Sequence, residues 1–141
     1  MSKDSLKLEN QLCFPLYAAT RQLTKIYRPL LKKFELTYPQ YLVLLALFEY
    51  QTLTVKALGE LLYLDSGTLT PMLKRMEENK LVERVRSKSD ERVVEVILTD
   101  KGKKLEEEIE SVPYDFIKEV KLEESEYYEL KRILAKMMDQ M

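Results

Sequence analysis

The chain has 141 residues, a formal net charge of −1, no histidine and a single cysteine, Cys13. Without histidine, Ser-His-Asp and Cys-His catalysis are excluded, and one thiol builds neither a disulfide framework nor a cysteine-based zinc site. Hydrophobic residues make up 45% and glycines number only three, a composition expected of one mostly helical domain with a sizeable core.

Leu8, Leu12, Leu16, Ala19, Leu23, Ile26, Leu30 and Phe34 recur every three or four residues, which is one stripe of a helix. Pro15 falls within the stripe, and proline is tolerated in a first turn but kinks a helix deeper in. Two readings follow: a regular helix starting near Cys13, or one starting near Leu8 that bends. Thr37 and Gln40 fit a capping box with Pro39 in the first turn. The run from Tyr41 to Phe48 is apolar on every side, which predicts a central, buried helix. Thr54 can cap a third helix through Val55, Leu58, Leu61 and Leu62. Asp65 or Ser66 then offers the N-cap of a fourth. Its inner face is Leu69, Met72, Leu73 and Met76, and its outer face carries Thr68, Pro71 and Arg75, with Lys74 beside them.

The period then changes. Residues 82–86 and 92–98 read as two strands, with a polar tip between them. A hairpin that directly follows a helix-turn-helix is a wing. Thr99 caps a further helix with Asp100 in its first turn, running through Leu105 and Ile109 and ending before Pro113. Tyr127, Leu130, Ile133, Leu134, Met137 and Met141 mark a last helix. No internal repeat, low-complexity tract or inter-domain linker is present. No apolar run approaches the ~20 residues of a membrane span. The polar start Met1-Ser2-Lys3-Asp4 lacks the apolar core of a signal peptide, so the chain reads as cytoplasmic.

Charge is unevenly spread. Residues 1–53 carry seven basic against four acidic side chains, residues 54–104 eleven against nine, and residues 105–141 five against eleven. A near-neutral total is only a weak argument against nucleic-acid binding, which depends on local patches, while the acidic tail is unsuited to facing phosphate. DNA recognition needs cations that displace counterions and small or forked side chains that read bases. Arg75 could donate two hydrogen bonds to a guanine, Thr68 could meet a thymine methyl, and Lys74 suits phosphate. Arg84, Arg86, Lys88 and Arg92 set four positive charges around the wing, where an arginine can enter a narrow minor groove. A basic hairpin alone is usually only solvated surface, but helix, turn, helix and hairpin in this order is a far more specific signal.

The segment from Leu64 to Glu77 resembles the recognition helix of the MarR regulators. Asp90-Glu91-Arg92 is similar to the Asp-x-Arg signature of their wing, and Leu98-Thr99-Asp100-Lys101-Gly102 to the chain's exit from it. The resemblance covers nearly the whole chain. It implies a mainly α fold with a small β-hairpin, a winged helix-turn-helix dimerised through its N- and C-terminal helices. Residues 1–36 and 105–141 would then form the dimer and residues 37–104 the DNA-binding region, all within one domain spanning residues 1–141. It further implies that Asp90 holds Arg92 by an ion pair. The candidate DNA-contacting set is Ser66, Thr68, Thr70, Pro71, Lys74, Arg75, Arg84, Arg86, Lys88, Asp90 and Arg92. The implied partners are double-stranded operator DNA and a second copy of the chain, with half-sites ~10 bp apart. No metal, cofactor or membrane partner is expected.

A lone cysteine is ordinarily a small, inert hydrophobe. Two features favour a reactive role for Cys13. Pro15 can place it near a helix N-terminus, whose positive end favours thiolate, the nucleophilic form. In addition, Leu12-Cys13-Phe14 with Tyr17, Tyr27 and Thr37-Tyr38-Pro39-Gln40-Tyr41 resembles the one-cysteine organic hydroperoxide repressors of the MarR family. That resemblance implies a sensor cysteine at Cys13, oxidised by organic hydroperoxide, with Tyr27 and Tyr38 donating hydrogen bonds and Tyr17 nearby. A low-molecular-weight thiol could cap the oxidised sulfur. Tyr27 lies 14 residues after Cys13, ~21 Å along one straight helix at ~1.5 Å per residue. Any contact between the two must therefore come from a partner subunit.

Rival readings remain open from sequence. The leucine-cysteine-phenylalanine start is shared with staphylococcal regulators of virulence, surface or antibiotic-response genes. A MarR protein gated by a small aromatic ligand would leave Cys13 inert. A thiol peroxidase would need a resolving partner and an activating arginine, and Arg21 is eight residues, or two turns, away. A helical interaction module would bind no DNA.

Overall fold

A computed structural model describes residues 3–141. Met1 and Ser2, at the head of the segment 1–36, lie outside the described residues. Two short 3-10 turns, Lys3–Leu6 and Leu8–Asn10, precede the first α-helix, α1 (Cys13–Lys32). The two readings around Pro15 are thereby settled. Pro15 is the third residue of α1, where its backbone nitrogen has no helical acceptor to miss. The helix therefore starts at Cys13, and Leu8 and Leu12 stand exposed ahead of it. A second proline, Pro29, lies inside α1. The side chain of α1 that is driven fully inward is Leu31, 1% exposed, which is not in the predicted stripe. The stripe itself is only partly covered: Leu16, Leu23, Ile26 and Leu30 are half-buried and Ala19 is exposed.

The chain leaves α1 through Glu35, in the left-handed region at φ 57°, and enters α2 (Tyr38–Tyr50). The capping box forms as expected: Gln40 N donates to Thr37 Oγ1 at 3.3 Å and Thr37 N to Gln40 Oε1 at 3.1 Å. Val43, Leu44 and Leu47 are fully buried, each worth about 1.5–3 kcal/mol of apolar burial. This is the central helix that its all-round apolar run predicts. It packs against α1, against the helices α3 (Val55–Leu62) and α5 (Asp100–Glu108), and against a short strand, β1 (Thr52–Thr54). Sequence did not reveal β1. It adds the third strand to the hairpin of β2 (Val82–Arg86) and β3 (Val94–Leu98), giving an antiparallel sheet of order β1-β3-β2. Leu53 and Arg84 both lie opposite the buried Val96.

Thr54 caps α3 by accepting from Ala57 N at 3.0 Å. Asp65, the first of the two candidate caps, starts α4 (Ser66–Glu78) by accepting from Thr68 N at 2.7 Å. After α5 the chain does not run straight to its last helix. Pro113 sits in the first turn of an additional helix, α6 (Val112–Glu119), followed by α7 (Glu124–Asp139). A proline read as a stop is thus also a start, because its fixed φ suits a first turn. No helix among the described residues is long and apolar enough to cross a membrane.

Two glycines permit close backbone crossings. A Cβ on Gly59 would lie 2.7 Å from the carbonyl oxygen of Leu64, and one on Gly102 would collide with the carbonyl of Leu81. The first crossing sets the turn between α3 and α4, and the second seats α5 against the start of β2. Replacing Gly59 by Ala is expected to destabilise the fold by about 1–3 kcal/mol through overpacking. Urea unfolding reads this directly, and a midpoint equal to that of the natural protein would show the turn to be looser than described.

Candidate nucleic-acid interface and thiol site

Local sequence dictates the geometry of α4. Leu69, Leu73 and Met76 are fully buried, so helical periodicity turns the opposite face outward. Thr68, Pro71, Lys74 and Arg75 are exposed on it, and Ser66 and Thr70 are exposed nearer the N-terminus of the helix. Pro71 lies inside the helix and offers no N–H to the carbonyl of Gly67, one turn earlier. The exposed surface is small and polar toward the N-terminus and cationic toward the C-terminal half. Those groups suit base edges and phosphates respectively.

The wing residues do not form one uniform basic patch. Arg92 bonds Asp90 through its backbone N at 3.0 Å and its Nε at 3.2 Å, so the ion pair implied by the resemblance is present, with the arginine side chain 90% exposed. This fold-back explains why β3 begins at Val94 and not at Arg92. Arg86 Nη1 donates to the carbonyl of Glu91 at 2.8 Å, bracing the hairpin tip, and Lys88 is exposed. Arg84 departs from the expectation of a free wing cation. Its backbone N donates to Glu77 Oε2 at 3.0 Å, and its Nη2 and Nε donate to Glu77 Oε1 at 3.1 and 3.3 Å. These donors hold the Glu77 carboxyl below the usual carboxylate range. Glu77 was not among the residues read from sequence. Its partner lies on another element, and no local pattern announces it.

Cys13 is the first residue of α1 and is exposed. Its approach is fixed by the preceding turns, where Gln11 Nε2 donates to the carbonyls of Ser5 and Lys7 at 2.8 and 2.7 Å. One helical turn on, Tyr17 is exposed, with the Arg21 guanidinium 5.5 Å from its ring centroid. Tyr27 and Tyr38 stand together at the other end of α1, ring centroids 4.6 Å apart. Tyr41 lies 5.7 Å from Tyr27, and Phe116 of α6 stacks on Tyr27 at 4.2 Å and 13°. Phe116 was not singled out from sequence, and Tyr41 was quoted only as the end of a motif, without a role. Burial, with neighbouring phenols adding to it, raises the Tyr27 hydroxyl well above its ordinary range. Burial raises Tyr38 and Tyr41 as well, Tyr38 adding to the effect on Tyr41. All three are therefore neutral donors near pH 7. A single protomer does not bring Cys13 and Tyr27 together, because one continuous helix separates them. No grouping of three or more His, Cys, Asp or Glu side chains able to hold a metal occurs among the described residues.

An α3-turn-α4 unit with an outward polar and basic face, continued into a cationic hairpin, defines a winged helix-turn-helix DNA-binding protein. Residues 25–109 match the family model described as transcriptional regulator SarA/Rot. The organic hydroperoxide resistance transcriptional regulator of Bacillus subtilis is 61% identical over 110 residues, which span 78% of this chain and 75% of that one. Among solved structures, reduced AbfR bound to DNA superposes with a TM-score of 0.84 at 38% identity, covering 99% of this chain and 96% of that one. Disulfide-formed AbfR gives 0.69 at 37% identity, covering 96% of each chain; the protein is from Staphylococcus epidermidis. A mutant of MarR from E. coli gives 0.72 at 26% identity, covering 91% of this chain and 96% of that one. The chain belongs to the SarA/Rot family of transcriptional regulators, within the MarR type, and is a DNA-binding regulator, not an enzyme.

The buried phenols give a signed pH dependence. An unfolded tyrosine ionises near pH ~10, while the folded chain keeps Tyr27, Tyr38 and Tyr41 protonated beyond that. Above that pH the native state binds more protons than the unfolded one, so stability falls as pH rises. Their contribution is complete below about pH 9 and is lost upward from about pH 10. Urea midpoints measured from pH 8 to 11 are expected to fall less steeply for Tyr27→Phe than for the natural chain. Parallel slopes would contradict the assignment.

Proposed function

We propose that the protein is a homodimeric repressor that binds a pseudo-palindromic operator in the cytoplasm and releases it when an organic hydroperoxide oxidises Cys13. The observation that supports this reading is the placement of an exposed thiol and a cluster of phenols at opposite ends of α1. An accessible sulfur stands at its first residue, and neutral phenols stand about 21 Å away at ~1.5 Å per residue. Tyr27 and Tyr38 make no side-chain hydrogen bond within the chain among the described residues, so their donors are free for an acceptor from outside. The apolar side chains left open at the ends of the chain support a second copy as the source. Leu12 is 66% exposed, and Leu130 and Ile133 are 43% and 41% exposed. A dimer that covers them can bring Cys13 of one protomer to Tyr27 and Tyr38 of the other. The likeness to a hydroperoxide-resistance regulator and to DNA-bound AbfR points the same way.

The chemistry is stoichiometric. The Cys13 thiolate attacks the outer oxygen of ROOH and the O–O bond breaks. The departing alkoxide takes a proton to leave as ROH, and the sulfur becomes sulfenic acid. With no second cysteine in the chain, a low-molecular-weight thiol can condense with the sulfenic acid, giving a mixed disulfide and water. Ser66, Thr68, Thr70, Pro71, Lys74 and Arg75 would face the major groove, and Arg86, Lys88 and the Asp90-held Arg92 would face the minor groove. Release requires a coupling of only ~3 kcal/mol to weaken operator binding about 150-fold.

Gel shifts on the DNA upstream of the protein's own gene, with and without cumene hydroperoxide, test the reading. Cys13→Ser should bind within about twofold of the natural protein, as surface changes usually do, and should stay bound in peroxide. Release of the Ser variant would refute the sensor and leave the DNA-binding scaffold standing. A mixed dimer tests the shared site separately. Cys13→Ser in one protomer and Tyr27→Phe in the other leave one complete site if the tyrosine serves the opposite cysteine. The mixed dimer should then oxidise faster than the Tyr27→Phe homodimer, whereas equal rates would place the tyrosine elsewhere.

A further inference from the structure

Between the end of α4 and the start of β2 lie only Asn79, Lys80 and Leu81, with Lys80 in the left-handed region at φ 62°. This short joint connects the helix that faces the major groove to the hairpin that faces the minor groove. It is tied from two sides. On one side, Thr99 Oγ1 donates at the carbonyls of Lys80 and Leu81, and Lys101 Nζ donates to the carbonyl of Asn79 at 3.0 Å. On the other, the Glu77 carboxylate spans the joint and takes three donors from Arg84.

We propose that Glu77 and Arg84 form a clamp that sets the angle between recognition helix and wing, making Arg84 a positioning residue and not a contact to DNA. Three observations carry this. Glu77 accepts from the backbone of β2 as well as from the guanidinium, so it fixes the strand itself and not only a mobile side chain. Arg84 is the wing arginine most withdrawn from solvent, its side chain 27% exposed against 90% for Arg92. Charge gives the third reason. Glu77 is an anion beside a surface that must meet phosphate, and the clamp neutralises it. If Arg84 turned to a phosphate instead, it would leave the Glu77 carboxylate without its counter-ion.

The two roles make opposite predictions. A phosphate contact contributes about 0.9 to the slope of log affinity against log salt, and losing it lowers the slope by about one. A clamp contributes geometry and leaves the slope alone. Removing Glu77 should strengthen DNA binding if its charge matters only as repulsion, and should weaken binding if the clamp matters.

The test uses the full-length protein and a duplex selected by the natural protein from a randomised pool. Affinities are measured between 50 and 200 mM salt for Glu77→Gln, Arg84→Gln, Arg84→Lys and the double variant Glu77→Gln/Arg84→Gln. Each single change is expected to weaken binding about tenfold, in keeping with charge-assisted hydrogen bonds, with an unchanged salt slope. The double variant should be no weaker than the worse single one, because the two residues act as a unit. Arg84→Lys should fail to restore affinity, since lysine keeps the charge but not the fork. Hydroxyl-radical footprints should lose the wing's protection while keeping that of the recognition helix, a change that general destabilisation would not produce. If Arg84→Gln does not fold, Arg84→Lys and Glu77→Gln decide the matter. Tighter binding by Glu77→Gln, a slope lowered by about one in Arg84→Gln, or full rescue by lysine would overturn the clamp.

Discussion

An unbroken helix of 20 residues, Cys13 to Lys32, constrains everything else about the protein. At ~1.5 Å per residue it is a rod of about 30 Å, and it keeps the thiol at one end from the phenols at the other. The helix can run through Pro15 because that residue falls in the first turn, where no hydrogen bond is lost. It can also end against the core because Leu31 is the side chain that anchors it there. Along its first half, Phe14, Tyr17 and Ala19 are exposed and Leu16 is only half-buried. Local sequence makes the rod, and the rod holds the thiol and the phenols of one protomer apart.

The DNA-reading head depends on a different kind of constraint, the close approach of backbones. Gly59 lets α3 turn tightly into α4, and Gly102 lets α5 press on Leu81. Around that second contact Thr99 does double work. Its hydroxyl accepts from Gly102 N at 3.1 Å, capping α5, and donates back to the carbonyls of Lys80 and Leu81, just ahead of β2. The end of the recognition helix, the base of the wing and the start of α5 are therefore fixed at one small junction. The buried helix α2 lies behind this head and carries its weight in apolar contacts.

Sequence was most legible where structure is local. The Thr37–Gln40 box, the Thr54, Asp65 and Thr99 caps and the inward face of α4 all rest on contacts within one or two turns, and the structure bears them out. The shift to period two located the hairpin for the same reason. What stayed hidden was non-local or short. β1 is three residues long, too few for alternation to register, and exists because β3 offers it an edge. α6 is eight residues long and was masked by reading Pro113 only as a stop. Phe116 could not be linked to Tyr27 without knowing that α6 returns to α1. Arg84 looked like its neighbours in a basic hairpin, and only the fold supplies Glu77. Cys13 could be placed at the start of a helix as one of two alternatives, but its separation from Tyr27 followed from counting residues alone.

These two constraints together limit how a chemical change at the sulfur can reach DNA. The head is pinned by Gly59, by the Thr99 junction and by the three donors on Glu77, so it has few soft degrees of freedom of its own. Packed interiors switch between discrete arrangements and do not deform smoothly. A perturbation at the proposed seam between protomers would then move each head as a body, changing the distance or angle between the two without reshaping either. The demand on such a movement is small. For a dimer on a pseudo-palindromic operator, half-sites ~34–36 Å apart would have to be met at once, and at a fixed spacing a shift of an ångström or two at each head would spoil the register of side chains that reach base edges by hydrogen bonds. Under the proposed mechanism, a rigid head is what would let a distant, stoichiometric modification of one atom suffice. A softer head could follow the DNA and stay bound.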